Sequence, residues 1–308
     1  MSKIRLALAT TLIAALPLTA LADITVGDLP DDSVWYLHAN LEAIRASDAG
    51  SKVYRWFEDE VIVDVKEEIG IDLSTEVDSI TAFANDGSGI VIVIDGSMTK
   101  DTQDKIMALA TAQGPVHPRE HKGRDYFLFG DGGDPDDDDD PMESLEDSAF
   151  VSFAIDGKAI VTSGDGQMQS LLDNEGRITG MGSHDGALLV LSANRNLVQA
   201  GMQPDGIVDD GEDDWESNIM RNTEQAALLV ADESGLLAIE AQLMSTDPKM
   251  AAAIGGIVNG LIQLQVFNSE LPPEVQDFIR NTKVEIRENL LSISTVLDAE
   301  VLVAVLDD

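Results

Sequence analysis

Apolar and polar positions fall into a repeating texture along this chain. From Thr81 to Ala112, two apolar runs flank a polar turn at Asn85-Asp86-Gly87-Ser88-Gly89, and an amphipathic segment of helical spacing follows. That succession predicts a strand, a turn, a second strand and an amphipathic helix. It returns between Leu228 and Val258, where Ser88, Gly89, Met98 and Asp101 are answered by Ser234, Gly235, Met244 and Asp247 at a constant offset of 146. Two further echoes flank it. Leu37-His38-Ala39-Asn40 is matched by Leu191-Ser192-Ala193-Asn194, and a hairpin with its helix from Ala149 to Asp173 is matched by Val284 to Leu306 at an offset of 133. A supersecondary unit used twice predicts an α+β protein of two tandem related modules, each of antiparallel β-hairpins packed with helices.

Other elements follow from the same pattern. Val34 to His38 is a β-prone run after turn chemistry at Leu29-Pro30-Asp31-Asp32-Ser33. From Ala49 to Ile69 the apolar residues Val53, Phe57, Val61, Ile62, Val65 and Ile69 recur at spacings of three and four, which predicts one long helix closed by Gly70 in a left-handed cap. Asp78 to Ala84 and Ile90 to Ile94 are expected to form the first hairpin, and Asp101 to cap a helix that ends near Ala112, ahead of Gly114-Pro115. Val116 to Phe129 reads as another hairpin, turning at His121-Lys122-Gly123. The modules are expected at 23–175 and 187–308, joined by a Gly-rich linker at 176–186, with acidic loops inserted at 130–147 and 204–214.

Composition adds a compartment and a surface. Lys3 and Arg5 precede an apolar run that ends in Ala20-Leu21-Ala22, the pattern of a secretory signal peptide over residues 1–22, so the expected location is periplasmic or secreted. The chain contains no Cys, which excludes disulfides and thiolate metal ligands. With 19 Lys and Arg against 57 Asp and Glu, the net charge is −38, and it becomes −40 once the two cations of the leader are removed. Nucleic acid is excluded as a partner because phosphate recognition needs a basic surface. The acidic coat itself reads as a solvated surface.

Several motifs invite chemistry and are weighed against their context. His117-Pro118-Arg119-Glu120-His121 matches an inverted zinc-peptidase pattern, but the prolines and Gly123 favour a strand entering a turn, where residues four apart lie about 13 Å from one another. Ser97-Met98-Thr99-Lys100 and Ser192-Ala193-Asn194 match two motifs of penicillin-recognising enzymes, without the third Lys-Thr-Gly element. Met250 to Phe267 is an apolar helix after Asp247-Pro248, interrupted by Asn259, Gln263 and Gln265. It reads as a buried or partner-facing helix rather than a membrane span, with Gly256, Gly260 and Leu264 as the candidate partner-binding residues. Asp134, Asp136, Asp138 and Asp140 supply oxygen ligands without the spacing of a calcium loop, so only weak Ca²⁺ binding is expected there, and no cofactor.

The Leu-Pro-x-Asp-Ser opening at residues 29–33, the Gly70-Ile71-Asp72-Leu73 run before the first hairpin, and the duplicated modules together resemble a set of uncharacterised exported bacterial proteins. The resemblance covers most of the chain after the leader and implies no activity. The reading is therefore an exported, acidic, non-enzymatic protein that binds a protein or small ligand, with no transmembrane segment after the leader and an oligomer compatible with the apolar helix. The alternative is a hydrolytic enzyme with a site assembled from scattered residues.

Overall fold

Among the described residues of the computed structural model, twelve strands join in a single antiparallel sheet with helices packed across it. The structure describes residues 33–63, 66, 72–85, 89–130, 148–178, 184, 186–200, 222–266 and 273–306. The leader, the acidic insertion beyond Gly130 with its four candidate aspartates, the acidic loop 204–214, the Gly70 cap and most of the Gly-rich linker lie outside those residues. The α+β class expected from the pattern is what the chain forms.

In chain order the strands are β1 (Ser33–Asn40), β2 (Val77–Asn85), β3 (Gly89–Gly96), β4 (Val116–His121), β5 (Arg124–Gly130), β6 (Ser148–Ser152), β7 (Lys158–Thr162), β8 (Ala187–Asn194), β9 (Thr223–Glu233), β10 (Leu236–Ser245), β11 (Lys283–Arg287) and β12 (Leu290–Leu297). The helices are α1 (Leu41–Ala46), α2 (Gly50–Phe57), α3 (Leu73–Glu76), α4 (Lys100–Gln113), α5 (Asp165–Asp173), α6 (Arg195–Ala200), α7 (Pro248–Val266), α8 (Pro273–Asn281) and α9 (Ala299–Leu306). Across the sheet the strands lie in the order β11-β12-β10-β9-β8-β1-β2-β3-β7-β6-β5-β4.

Outward from the central β1–β8 pair, one side runs β8, β9, β10, β12, β11 and the other runs β1, β2, β3, β7, β6, with the β4–β5 hairpin added at its edge. The register across the centre has the same symmetry. Leu37 faces Leu191, Trp35 faces Ala193 and Ala39 faces Leu189, so shifting either strand's numbering by 154 reproduces the pairs with the strands exchanged.

Registers also sort the side chains into two faces. One row across the sheet is Val284, Ile293, Ala241, Leu228, Leu191, Leu37, Ala82, Ile92, Val161 and Val151, apolar from end to end. We call its side the helical face of β10 and β12, because α7 and α8 pack there over Ile293, Leu243 and Val284. The opposite face holds Tyr36, Phe83, Val91, Val93, Ile160 and Leu229, and α5 covers part of it with Met168, Leu171 and Leu172.

Two local expectations are corrected. The helix expected from 49 to 69 passes instead from α2 into a π-helical turn over Glu58–Ile62. An extra residue in that turn brings Ile62 to within about 20° of Tyr54 around the axis, where uninterrupted α-geometry would leave about 80°. Both side chains are buried. Asp101 does not cap α4. Thr99 does, its hydroxyl accepting from the Thr102 amide at 3.2 Å while Asp101 pairs with Lys105 one turn on.

Candidate functional site

The sequence motifs disperse on folding. β4 is an edge strand on which His117 is exposed, while His121 and Lys122 both pair with Asp173 at the end of α5. Lys122 first, and His121 after it, hold the Asp173 carboxyl below its usual range. Lys100 pairs with Asp104 on the exposed face of α4, and the Ser97 amide donates to the Glu76 carbonyl. Among the described residues no group of three or more His, Asp or Glu is placed to hold a metal ion.

Folding creates a polar cluster the motifs did not announce. On the face of the central strands that carries Tyr36, the Tyr36 hydroxyl and His184 Nε2 lie 2.7 Å apart, and the His38 and His184 rings stand 5.1 Å apart between centroids. Thr81 Oγ1 lies 2.9 Å from His38 Nδ1. Burial pushes the Tyr36 hydroxyl above its ordinary range, so it stays protonated. The His38 imidazole is pushed down to about 4, by burial first and by the charge of His184 second, against a smaller opposing pull from Asp95. The cluster links β1 to the junction residue His184 through the Tyr36 hydroxyl and the adjacent His38 ring.

A second place has the shape of a binding site. α7 starts where Asp247 Oδ1 accepts from the amides of Lys249 and Met250, with Pro248 at the first helical position. From there Ala251 is buried, and Ile254 packs into a cluster with Leu291 and Leu243. α8 starts at Pro273, and after it the hydroxyls of Thr282 and Thr295 both donate to the Phe278 carbonyl, at 2.9 and 3.3 Å. Between the two helices and the sheet a cavity of about 380 Å³ remains. Its floor is Ile239, Ala241, Ile293 and Thr295, and its walls are Val258, Leu261, Ile262 and Gln265 of α7 with Phe278, Ile279 and Thr282 at α8.

The floor explains the space. Ala241 sits in register between Leu228 and Ile293, in the interior of the sheet, yet it is exposed because its methyl group does not reach the helices above. Of the lining residues, Leu261 and Phe278 are 48 and 38% exposed, and Ile257 and Leu264, at 40 and 71%, fall on the same flank of α7 as Leu261 by helical spacing. No side chain that titrates near neutral pH lines the cavity among the described residues.

Of the three residues expected to meet a partner, Leu264 lies on this exposed apolar flank. Gly256 and Gly260 face open space, with nothing within 4 Å of a built Cβ. The tight approach is one residue earlier: a Cβ on Gly255 would lie 2.6 Å from Ile286 and 3.2 Å from Leu291. α8 is the element that sequence reasoning passed over. Its signal was the Pro273 start and the spacing of Val275, Phe278, Ile279 and Thr282.

No family model matches the chain, and no curated protein matches it. Among solved structures the chain is similar to TP0453, a treponemal protein of uncharacterised function. Crystal form III aligns over 91% of this chain and 96% of its own at 11% identity with a TM-score of 0.46. Crystal form IV aligns over 94 and 99% at 11% identity and 0.46. At those scores the likeness carries no functional weight.

Proposed function

We propose that this is an exported, non-enzymatic binding protein whose site for a small apolar ligand is the cavity between α7, α8 and the sheet. The cavity floor carries the reading: an interior strand residue, Ala241, is reachable from solvent beneath two helices, where close packing would ordinarily fill the space. Sites for small molecules are mostly apolar concavities of about 300–1,000 Å³ with few polar groups. This one is at the small end of that range and carries only Gln265, Thr282 and Thr295 as polar side chains. The same composition speaks against the hydrolytic alternative, since an acid, a base and a nucleophile have to converge where a substrate binds. The finer organisation, modules at 23–175 and 187–308, is supported by the mirrored strand order and the register across β1 and β8.

The test uses N-phenyl-1-naphthylamine, an uncharged fluorophore that brightens in apolar surroundings. Saturable one-to-one binding is expected, abolished by Ala241→Phe, which fills the floor, while the melting temperature of that variant holds. Weak, non-saturating fluorescence that Ala241→Phe leaves unchanged would refute the site.

A further inference from the structure

Resting on that reading of the cavity, we propose that the site accepts a single-chain amphiphile with a neutral or cationic head group and discriminates against carboxylates. The volume of about 380 Å³ admits one aliphatic chain or one small ring system rather than a two-chain lipid. A chain longer than the cavity continues along the exposed flank of Leu261 and Leu264, so the head group comes to rest at or beyond the mouth.

Among the described residues an anionic head finds no cation aimed at it in either place. Inside, the hydroxyls of Thr282 and Thr295 are already donated to the Phe278 carbonyl. A carboxylate there would be a buried charge with no cation beside it among the described residues, a cost that one neutral amide, that of Gln265, does not offset. Outside, the nearest cations point elsewhere. Arg280 projects about 100° around α8 from Ile279, and its guanidinium donates to Gln276. Lys283 is in register with Ser294, which places it on the opposite face of the sheet from Ile293. On α7, Lys249 is about 18 Å along the axis from Leu261, and no other charged residue occurs through Val266. What an approaching head group meets is the field of a chain with 57 acidic and 19 basic side chains. Such a field repels anions and concentrates cations at the surface, and salt screens it.

Three ligands with one chain and different heads separate these ideas, each displacing N-phenyl-1-naphthylamine from the intact protein at neutral pH and low salt, below its micellar concentration. Decanol and decyltrimethylammonium are expected to displace the probe, and decanoate to require at least about ten-fold more, a gap that narrows to under about three-fold in molar NaCl as screening shortens to about 3 Å. Decanoate competing as well as decanol at low salt would overturn the head-group assignment and leave the cavity reading intact. Decyltrimethylammonium as weak as decanoate would also overturn it, because the sign of the charge would then not matter. Failure of all three to displace a bound probe, or no bound probe at all, would remove the cavity reading itself.

Discussion

His38 is the residue whose environment makes the sharpest demand on the solution conditions. In the unfolded chain its imidazole titrates near the ordinary value of about 6.5, whereas in the folded chain it is pushed down to about 4 by burial and by His184. The sign follows from which state takes up the proton. Below the unfolded value the unfolded chain binds a proton that the folded chain refuses, so stability is complete above about 6.5 and is lost progressively as pH falls toward 4. Carboxylate protonation and reduced charge repulsion act in the same range, so the effect has to be isolated by difference. His38→Gln keeps a polar group opposite Thr81 and cannot titrate. The melting temperature of the wild type minus that of His38→Gln should fall between pH 7 and pH 4 and level off below. A difference independent of pH would mean that His38 is hydrated in the fold and that its packing against His184 is incidental.

α7 separates what the chain showed in one dimension from what needed three. The apolar run and the Asp247-Pro248 start were legible, as were the β-hairpins and the extent of α5, because local periodicity and turn chemistry mark them. The small residues were legible too, but not which one is crowded, since that depends on Ile286 and Leu291 arriving from a hairpin more than thirty residues downstream. The cavity was illegible for the same reason: Ala241 and Ile293 become neighbours only through the β10–β12 ladder, and α8 is a nine-residue helix too short for its periodicity to stand out. The glycines convert this into a measurement. Gly256→Ala and Gly260→Ala should each stabilise by about 0.5–1 kcal/mol, because the added methyl group meets nothing and glycine disfavours a helix interior. Gly255→Leu should destabilise by about 1–3 kcal/mol, since Leu291 is 1% exposed and has no room to move aside. Denaturant midpoints check the order. If Gly256→Leu instead changes the oligomeric state while the fold holds, the open glycine face is a partner contact, as its spacing with Gly260 and Leu264 suggested.

At the scale of the molecule two properties act together: a sheet shared by both halves through the β1–β8 pair, and a charge that no arrangement of its ions can neutralise. Even if every one of the 19 cations were matched to an acid, 38 acidic side chains would remain in excess. The ion pairs themselves are weak supports. Lys100 and Asp104, for instance, are 84 and 62% exposed, and pairs of that kind contribute about 0–1 kcal/mol each. Added salt weakens those few attractions and the far more numerous repulsions at once, so the sign of its effect reports which dominates. With three acids to each base the repulsions dominate, and screening should raise the melting temperature. The shape of the rise is also set. The screening length falls from about 30 Å at 0.01 M to about 10 Å at 0.1 M and about 3 Å at 1 M. Repulsions between groups spread over a surface of this size are therefore removed mostly in the first of those decades. A melting temperature in NaCl that climbs steeply to about 0.1 M and then flattens fits a dispersed acidic coat. A rise confined to molar concentrations would point to a general salting effect on apolar burial, and a fall would mean that local pairs such as Lys52 with Asp298 and Glu300 outweigh the excess.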